Sequence, residues 1–112
     1  MGSGSLGELE LMVLLAALRL GEDRAYAVSI VDEIAERTGR SLQRAAVYTT
    51  LQRLEQKGLV STWLGDPRPE RGGKARRQVR VEPAGVEAVR ATRAALRRLW
   101  DGMEATVPGL EG

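Results

Sequence analysis

The chain has 112 residues, 43% of them apolar, with 17 basic and 15 acidic side chains and a net charge of +2. That length allows one domain with a modest core, or a smaller domain plus a helix that finds a partner, and the apolar fraction argues against wholesale disorder. Neither cysteine nor histidine occurs, which removes disulfides, thiolate nucleophiles, imidazole catalysis and the usual zinc or iron–sulfur ligand sets. With no clustered Asp/Glu motif either, no cofactor or metal is implied, and the composition argues against an enzyme.

The small net charge conceals a segregation. Residues 1–35 carry six acids and two bases, net −4; residues 36–58 carry two acids and five bases, net +3. Residues 66–80 carry two acids and six bases, net +4, and residues 81–112 return to −1. Such local concentration of positive charge speaks of a polyanionic partner rather than of a fold. The most apolar stretch, Leu9–Leu20, is bounded by Glu8, Glu10 and Arg19 and lacks a basic lead-in and a cleavage site. It reads as neither a membrane span nor a signal peptide, so a cytoplasmic location without a membrane partner is expected.

In chain order, the composition of residues 1–5, Met-Gly-Ser-Gly-Ser, predicts a flexible lead. Ser5 and Glu8 have capping-box spacing and predict a first helix over Leu6–Leu20, stopped by Gly21. Its apolar residues run around most of the circumference, which predicts burial on more than one side. A second helix is predicted over Ala27–Thr38, ending at Gly39, with Tyr26 at its start. Val28, Val31, Ile34 and Ala35 share one face, while Asp32, Glu33, Glu36 and Arg37 face water. Arg40–Leu42 then leads into a third helix within Leu42–Gly58. Links this short between three helices fit a helix-turn-helix core.

On the third helix Val47, Leu51 and Leu54 fall on one stripe. Ala45, Thr49, Gln52, Arg53 and Gln56 lie opposite, flanked by Arg44 and Tyr48. Small, amide and arginine side chains suit a groove floor, because they permit close approach and can address base edges or phosphates. Taken alone, such a face is more often simply solvated. Two strands follow, Leu59–Leu64 and Arg77–Val81, joined by the loop Asp66–Ala75. Arg68, Arg71, Lys74, Arg76 and Arg77 crowd that loop and its exit. A phosphate backbone would relieve their mutual repulsion by replacing condensed counterions, whereas solubility alone is the bland alternative. The helix and the basic hairpin together turn the reading toward nucleic acid.

Pro83, at a first helical position, opens a last helix predicted over Pro83–Thr106 and closed by Pro108-Gly109. Val86, Val89, Leu96, Leu99, Trp100, Met103 and Val107 recur along it at three- and four-residue steps. A domain this small cannot cover so long a seam, and each large side chain buried there is worth about 1.5–3 kcal/mol. A homodimer built on this helix, with Leu11 of the first helix contributing, is therefore expected. The alternative is a helix folded back over its own core. Trp100 packs in the dimer interface on this reading, or stacks a planar effector there.

These residues resemble the PadR family of transcriptional regulators from Leu9 to about Met103. The resemblance rests on Ala46-Val47-Tyr48-Thr49-Thr50-Leu51, on Arg53-Leu54-Glu55 with Lys57-Gly58-Leu59-Val60, on Gly72-Gly73-Lys74-Ala75-Arg76-Arg77, and on Pro83-Ala84-Gly85. The single short C-terminal helix is similar to the branch of the family without a long C-terminal domain. The resemblance implies a mainly α fold with a small β-hairpin: a winged helix-turn-helix over residues 6–82, a dimerisation helix over 83–107 and a tail over 108–112. It also implies a homodimer on pseudo-palindromic operator DNA, usually a repressor released by a small molecule. Tyr48 would then contact the DNA backbone, Gln43, Arg44 and Thr49 would lie at or near the major groove, and Lys74, Arg76 and Arg77 would belong to the wing. An effector pocket between two subunits would be lined by Met12 and Leu15, with Leu11, facing Leu99, Trp100 and Met103. Gln43 stands where a capping serine is common, Thr49 where proline often follows the tyrosine, Gln78-Val79 in place of an aromatic pair, and Glu82 where threonine is frequent. A winged-helix docking module for an acidic protein is the competing function.

Overall fold

Three helices come first: α1 (Glu8–Leu20), α2 (Ala27–Thr38) and α3 (Arg44–Gln56). Strands β1 (Val60–Leu64) and β2 (Arg77–Val81) follow, and α4 (Pro83–Trp100) closes the order. The computed structural model describes residues 6–65 and 76–110. Four helices with one antiparallel hairpin make the winged helix that the sequence predicts.

α1 starts at Glu8, two residues later than expected. Gly7 is its N-cap, and Glu10 rather than Glu8 folds back, its Oε1 accepting the Gly7 backbone N–H at 3.0 Å. Ser5, the other half of the expected box, lies outside the described residues. At α2 the Tyr26 N–H donates to Ser29 Oγ at 2.9 Å. The buried face of α2 is Ala27, Ile30 and Ile34, while Val28 is exposed. The expected stripe is therefore rotated, which buries the larger Ile30 in place of Val28.

The core forms where Val13 and Leu14 of α1, Ile30 and Ile34 of α2, and Val47, Leu51 and Leu54 of α3 meet Val60 and Val79 of the hairpin. Leu14, Ile30 and Leu54 are wholly buried, each a gain of about 1.5–3 kcal/mol. α1 is not covered all round: Leu15 and Leu18 stay exposed.

Gly58, at φ +76°, turns the chain from α3 into β1 through a left-handed backbone that suits glycine. There the Gly58 N–H donates to Glu55 O and the Leu59 N–H to Leu54 O, both at 2.9 Å. β1 and β2 pair in the register Val60↔Val81, Thr62↔Val79 and Leu64↔Arg77. The far edge of β2 is held as well, since the Val79 N–H donates to Ala25 O at 2.9 Å and Tyr26 bridges Gln78. Gln78-Val79 thus packs the wing without aromatic side chains. Leu64, however, is 62% exposed at the end of its strand.

α4 resolves the choice between a free seam and a folded-back helix by doing both. Its first half lies on the core through buried Gly85 and Ala88 and half-buried Val89, whereas every residue from Arg93 to Trp100 is exposed. It ends at Trp100, short of the expected Thr106, because Asp101 adopts an extended backbone and Gly102 a positive φ of 78°. An acid at a helix C-terminus opposes the helix dipole, so Asp101-Gly102 is a natural stop. Met103 and Val107 accordingly lie beyond α4, in a run of turns.

Gly85 fixes how α4 meets the hairpin. A Cβ there would fall 2.3 Å from Leu59 O and 2.8 Å from a Val81 methyl. Gly85→Ala should therefore lower the melting temperature by roughly 5–15 °C, as expected for about 1–3 kcal/mol of overpacking strain. Thermal unfolding followed by circular dichroism measures this, and an unchanged midpoint would contradict the close packing.

Candidate nucleic-acid interface

α3 buries Val47, Thr50, Leu51 and Leu54, and Thr50 satisfies its hydroxyl on Ala46 O at 2.8 Å. This seating turns Arg44, Tyr48, Thr49, Gln52 and Arg53 outward, with Tyr48 40% exposed. Gln43 is the N-cap, but its side chain makes no capping hydrogen bond and is exposed. Gln43 at the cap and the five α3 residues singled out from sequence are thus all solvent-exposed. Among the described residues neither Arg44 nor Arg53 forms an ion pair, so their charge stays available to a ligand.

Behind this surface lies an ion pair that spacing did not suggest. Lys57, just past α3, reaches Glu10 of α1, Nζ to Oε2 at 2.8 Å. Glu10 is only 9% exposed. Burial penalises its charge, but hydrogen bonds from Lys57 and the Gly7 N–H, with the charges of Lys57 and Arg53, more than offset this. Its carboxyl is held below the ordinary value of 4.5. The pair ties the C-terminal end of α3 to the start of α1.

The wing contributes Arg76 and Arg77, both half-buried at the start of β2. The Arg76 guanidinium lies 4.6 Å from the centre of the Tyr26 ring, and the Tyr26 hydroxyl donates to Asp23 O at 3.0 Å. Arg76 is therefore stacked against the start of α2, a partner that composition alone could not reveal. Arg77 forms no ion pair among the described residues. Arg68, Arg71 and Lys74 lie outside the described residues. Other cations of the basic segments are engaged by the acidic N-terminal third: Arg40 by Glu8 at 3.2 Å and Arg80 by Glu22 at 2.7 Å.

The second expected surface is more divided. Leu96 is exposed, Leu99 is 76% exposed and Trp100 50%, with Val86 exposed on the same helix. Val89 instead packs on its own core, which removes it from a free seam, and Leu11 and Met103 are half-buried. Of the expected effector-lining residues on α1, Leu15 is exposed and Met12 packs against the core. Among the described residues no group of acidic side chains could hold a metal ion, and no helix is long and apolar enough to cross a membrane.

The transcriptional regulator PadR-like family matches residues 14–91 of the chain. The chain belongs to that family. PadR-like proteins are regulators of transcription and not enzymes, and this member carries their DNA-binding winged helix. Its backbone is similar to a PadR family regulator from Eggerthella lenta, at 24% identity and a TM-score of 0.68 over 88% of this chain and 82% of that one. A PadR family regulator from Clostridium difficile aligns at 18% identity and a TM-score of 0.69 over 89% and 98%. A transcriptional regulator from Clostridium thermocellum gives 18% identity and a TM-score of 0.71 over 88% and 89%. At these identities the structures speak for the fold alone. None of the curated protein sequences matches the chain.

The Glu10–Lys57 pair gives this PadR-like protein a signature in acid. Because the folded carboxyl is held below its ordinary value, its stabilising effect is complete above 4.5 and is lost as pH falls through the lowered value. Glu10→Gln should lower the melting temperature at neutral pH and flatten its fall as pH drops below 4.5. Thermal melts of both proteins across that range would expose a parallel decline as the contrary result.

Proposed function

We propose that the chain is a sequence-specific DNA-binding regulator that acts as a homodimer on a pseudo-palindromic operator, as a repressor released by a small molecule. The observation that carries this reading is the outward surface of α3, where Gln43, Arg44, Tyr48, Thr49, Gln52 and Arg53 are all exposed beside a basic wing. Gln and Arg have the donors and acceptors to read base edges in a major groove, and Tyr48 can donate to a phosphate. Arg76 and Arg77, with Arg68, Arg71 and Lys74 of the wing loop, would follow the adjacent backbone. Two-fold symmetry would place half-sites about one helical turn, roughly 34–36 Å, apart.

The dimer is supported by the unpartnered end of α4. Leu96, Leu99 and Trp100 are exposed apolar side chains at that end, and in the dimer Val86, Leu11 and Met103 would add to the interface. An effector pocket between the subunits would be lined by Leu15, Leu99, Trp100 and Met103, with Met12 at its inner side. Operator sequence and half-site spacing would both emerge from selecting bound sites in a random duplex pool.

Reversing Arg76 and Arg77 to Glu should weaken binding to every duplex and reduce the slope of log affinity against log salt by roughly one for each phosphate no longer neutralised. Fluorescence anisotropy at several salt concentrations measures it, with competitor DNA present. Equal competition by any polyanion would favour the docking-module reading instead. In the dimer, Leu99→Glu should sediment as a monomer, and any ligand quenching of Trp100 fluorescence seen in the wild type should vanish with it. A monomeric wild-type protein would overturn the dimer.

A further inference from the structure

Two carboxylates hold the wing strand from opposite sides. Glu55, in the last turn of α3, accepts the Thr62 backbone N–H at 3.3 Å through one oxygen and the Thr62 hydroxyl at 3.0 Å through the other. The neighbouring residue, Ser61, donates its hydroxyl to Glu82. Glu82 is the N-cap of α4, and its own N–H donates to Leu59 O at 2.9 Å. Successive strand residues point to opposite faces, so Ser61 and Thr62 give β1 one hydroxyl toward each helix. β1 has β2 as its only strand neighbour among the described residues, and Glu55 therefore also occupies a backbone donor on an edge strand.

Glu55 stands where electrostatics disfavours it. A negative charge in the last turn of a helix opposes the helix dipole, and on a segment otherwise carrying Arg44, Arg53 and Lys57 it would repel phosphate. Both of its oxygens are engaged, which supplies the reason for a carboxylate at this point. Glu82, by contrast, sits at the N-terminus of α4, where the helix dipole favours a carboxylate, and it joins α4 to the same strand one residue away.

We infer that Glu55 and Glu82 are positioning residues that set the wing against the α3 reading surface, Glu55 from α3 and Glu82 from the start of α4. They need not touch DNA. They act through β1 on β2, paired from Val60↔Val81 to Leu64↔Arg77, and so on Arg77 and on Arg76 just before the strand, whose carbonyl accepts the Gly65 N–H at 2.8 Å. The consequence for DNA rests on the function proposed above, whereas the tether itself does not.

Two measurements on the full chain separate these. Amide hydrogen exchange needs no DNA: Glu55→Ala and Glu82→Ala should each speed exchange across Ser61–Trp63 by about five- to tenfold, the scale of removing one or two hydrogen bonds, with α1 and α2 unchanged. Unchanged exchange in this segment overturns the tether. The second measurement is affinity for a duplex selected from a random pool, read by anisotropy. Glu55→Ala should bind about five- to tenfold more weakly and with a reduced salt slope, and on an Arg76→Ala/Arg77→Ala background it should add no further loss. Glu55→Gln keeps an acceptor oxygen and should fall between the wild type and Glu55→Ala. If Ala and Gln both tighten binding, Glu55 is only a like charge near phosphate and the positioning role is refuted. A wild-type protein that prefers no duplex refutes the DNA reading, and hydrogen exchange still decides the tether.

Discussion

Leu59 is the residue on which the working surfaces converge. Its N–H closes the end of α3 on Leu54 O, and its carbonyl accepts the N–H of Glu82 at the cap of α4. Its side chain is buried in the core, and Gly85 packs directly over its carbonyl. One dipeptide, Gly58-Leu59, therefore sets the angle between the reading helix, the wing and the helix that projects from the core. Backbone hydrogen bonds and a missing Cβ define this joint, so it has little freedom to relax. A side chain there would have to displace the peptide backbone rather than a flexible tip.

Charge is organised around the same frame. The acidic N-terminal third pairs outward with cations from the basic segments: Glu8 with Arg40, Glu10 with Lys57 and Glu22 with Arg80. Surface pairs of this kind contribute little to stability individually, and of these three acids only Glu10 is substantially buried. Their effect is selective rather than energetic. They neutralise the cations at the margins and leave Arg44, Arg53 and Arg77 without ion-pair partners among the described residues. Unpaired cations on the α3 face and the wing are where a polyanion would gain most.

α4 divides into an anchored half and a free half at about Thr92. The anchored half packs through Gly85, Ala88 and Val89, and at Gly85 the hairpin leaves no room for a Cβ. The free half carries Leu96, Leu99 and Trp100 into solvent, an arrangement a soluble monomer would not favour. The two halves answer different constraints, and that is why a single seam over Val86–Val107 does not describe the helix.

Much of this was legible in the chain alone. The spacing of Val47, Leu51 and Leu54 determined which face of α3 is buried, since helix periodicity leaves no other choice, and Pro83 marked the start of α4. The motifs around Tyr48, Gly58 and Pro83 identified the family, because turns and close packing demand particular residue types. What spacing could not determine was anything that depends on a partner distant in sequence. Val28 against Ile30, Arg76 on Tyr26, Lys57 on Glu10 and the two carboxylates on β1 were all decided by tertiary packing. Local sequence sets which faces are apolar, but only the assembled fold decides which charged or polar group lies within reach of which.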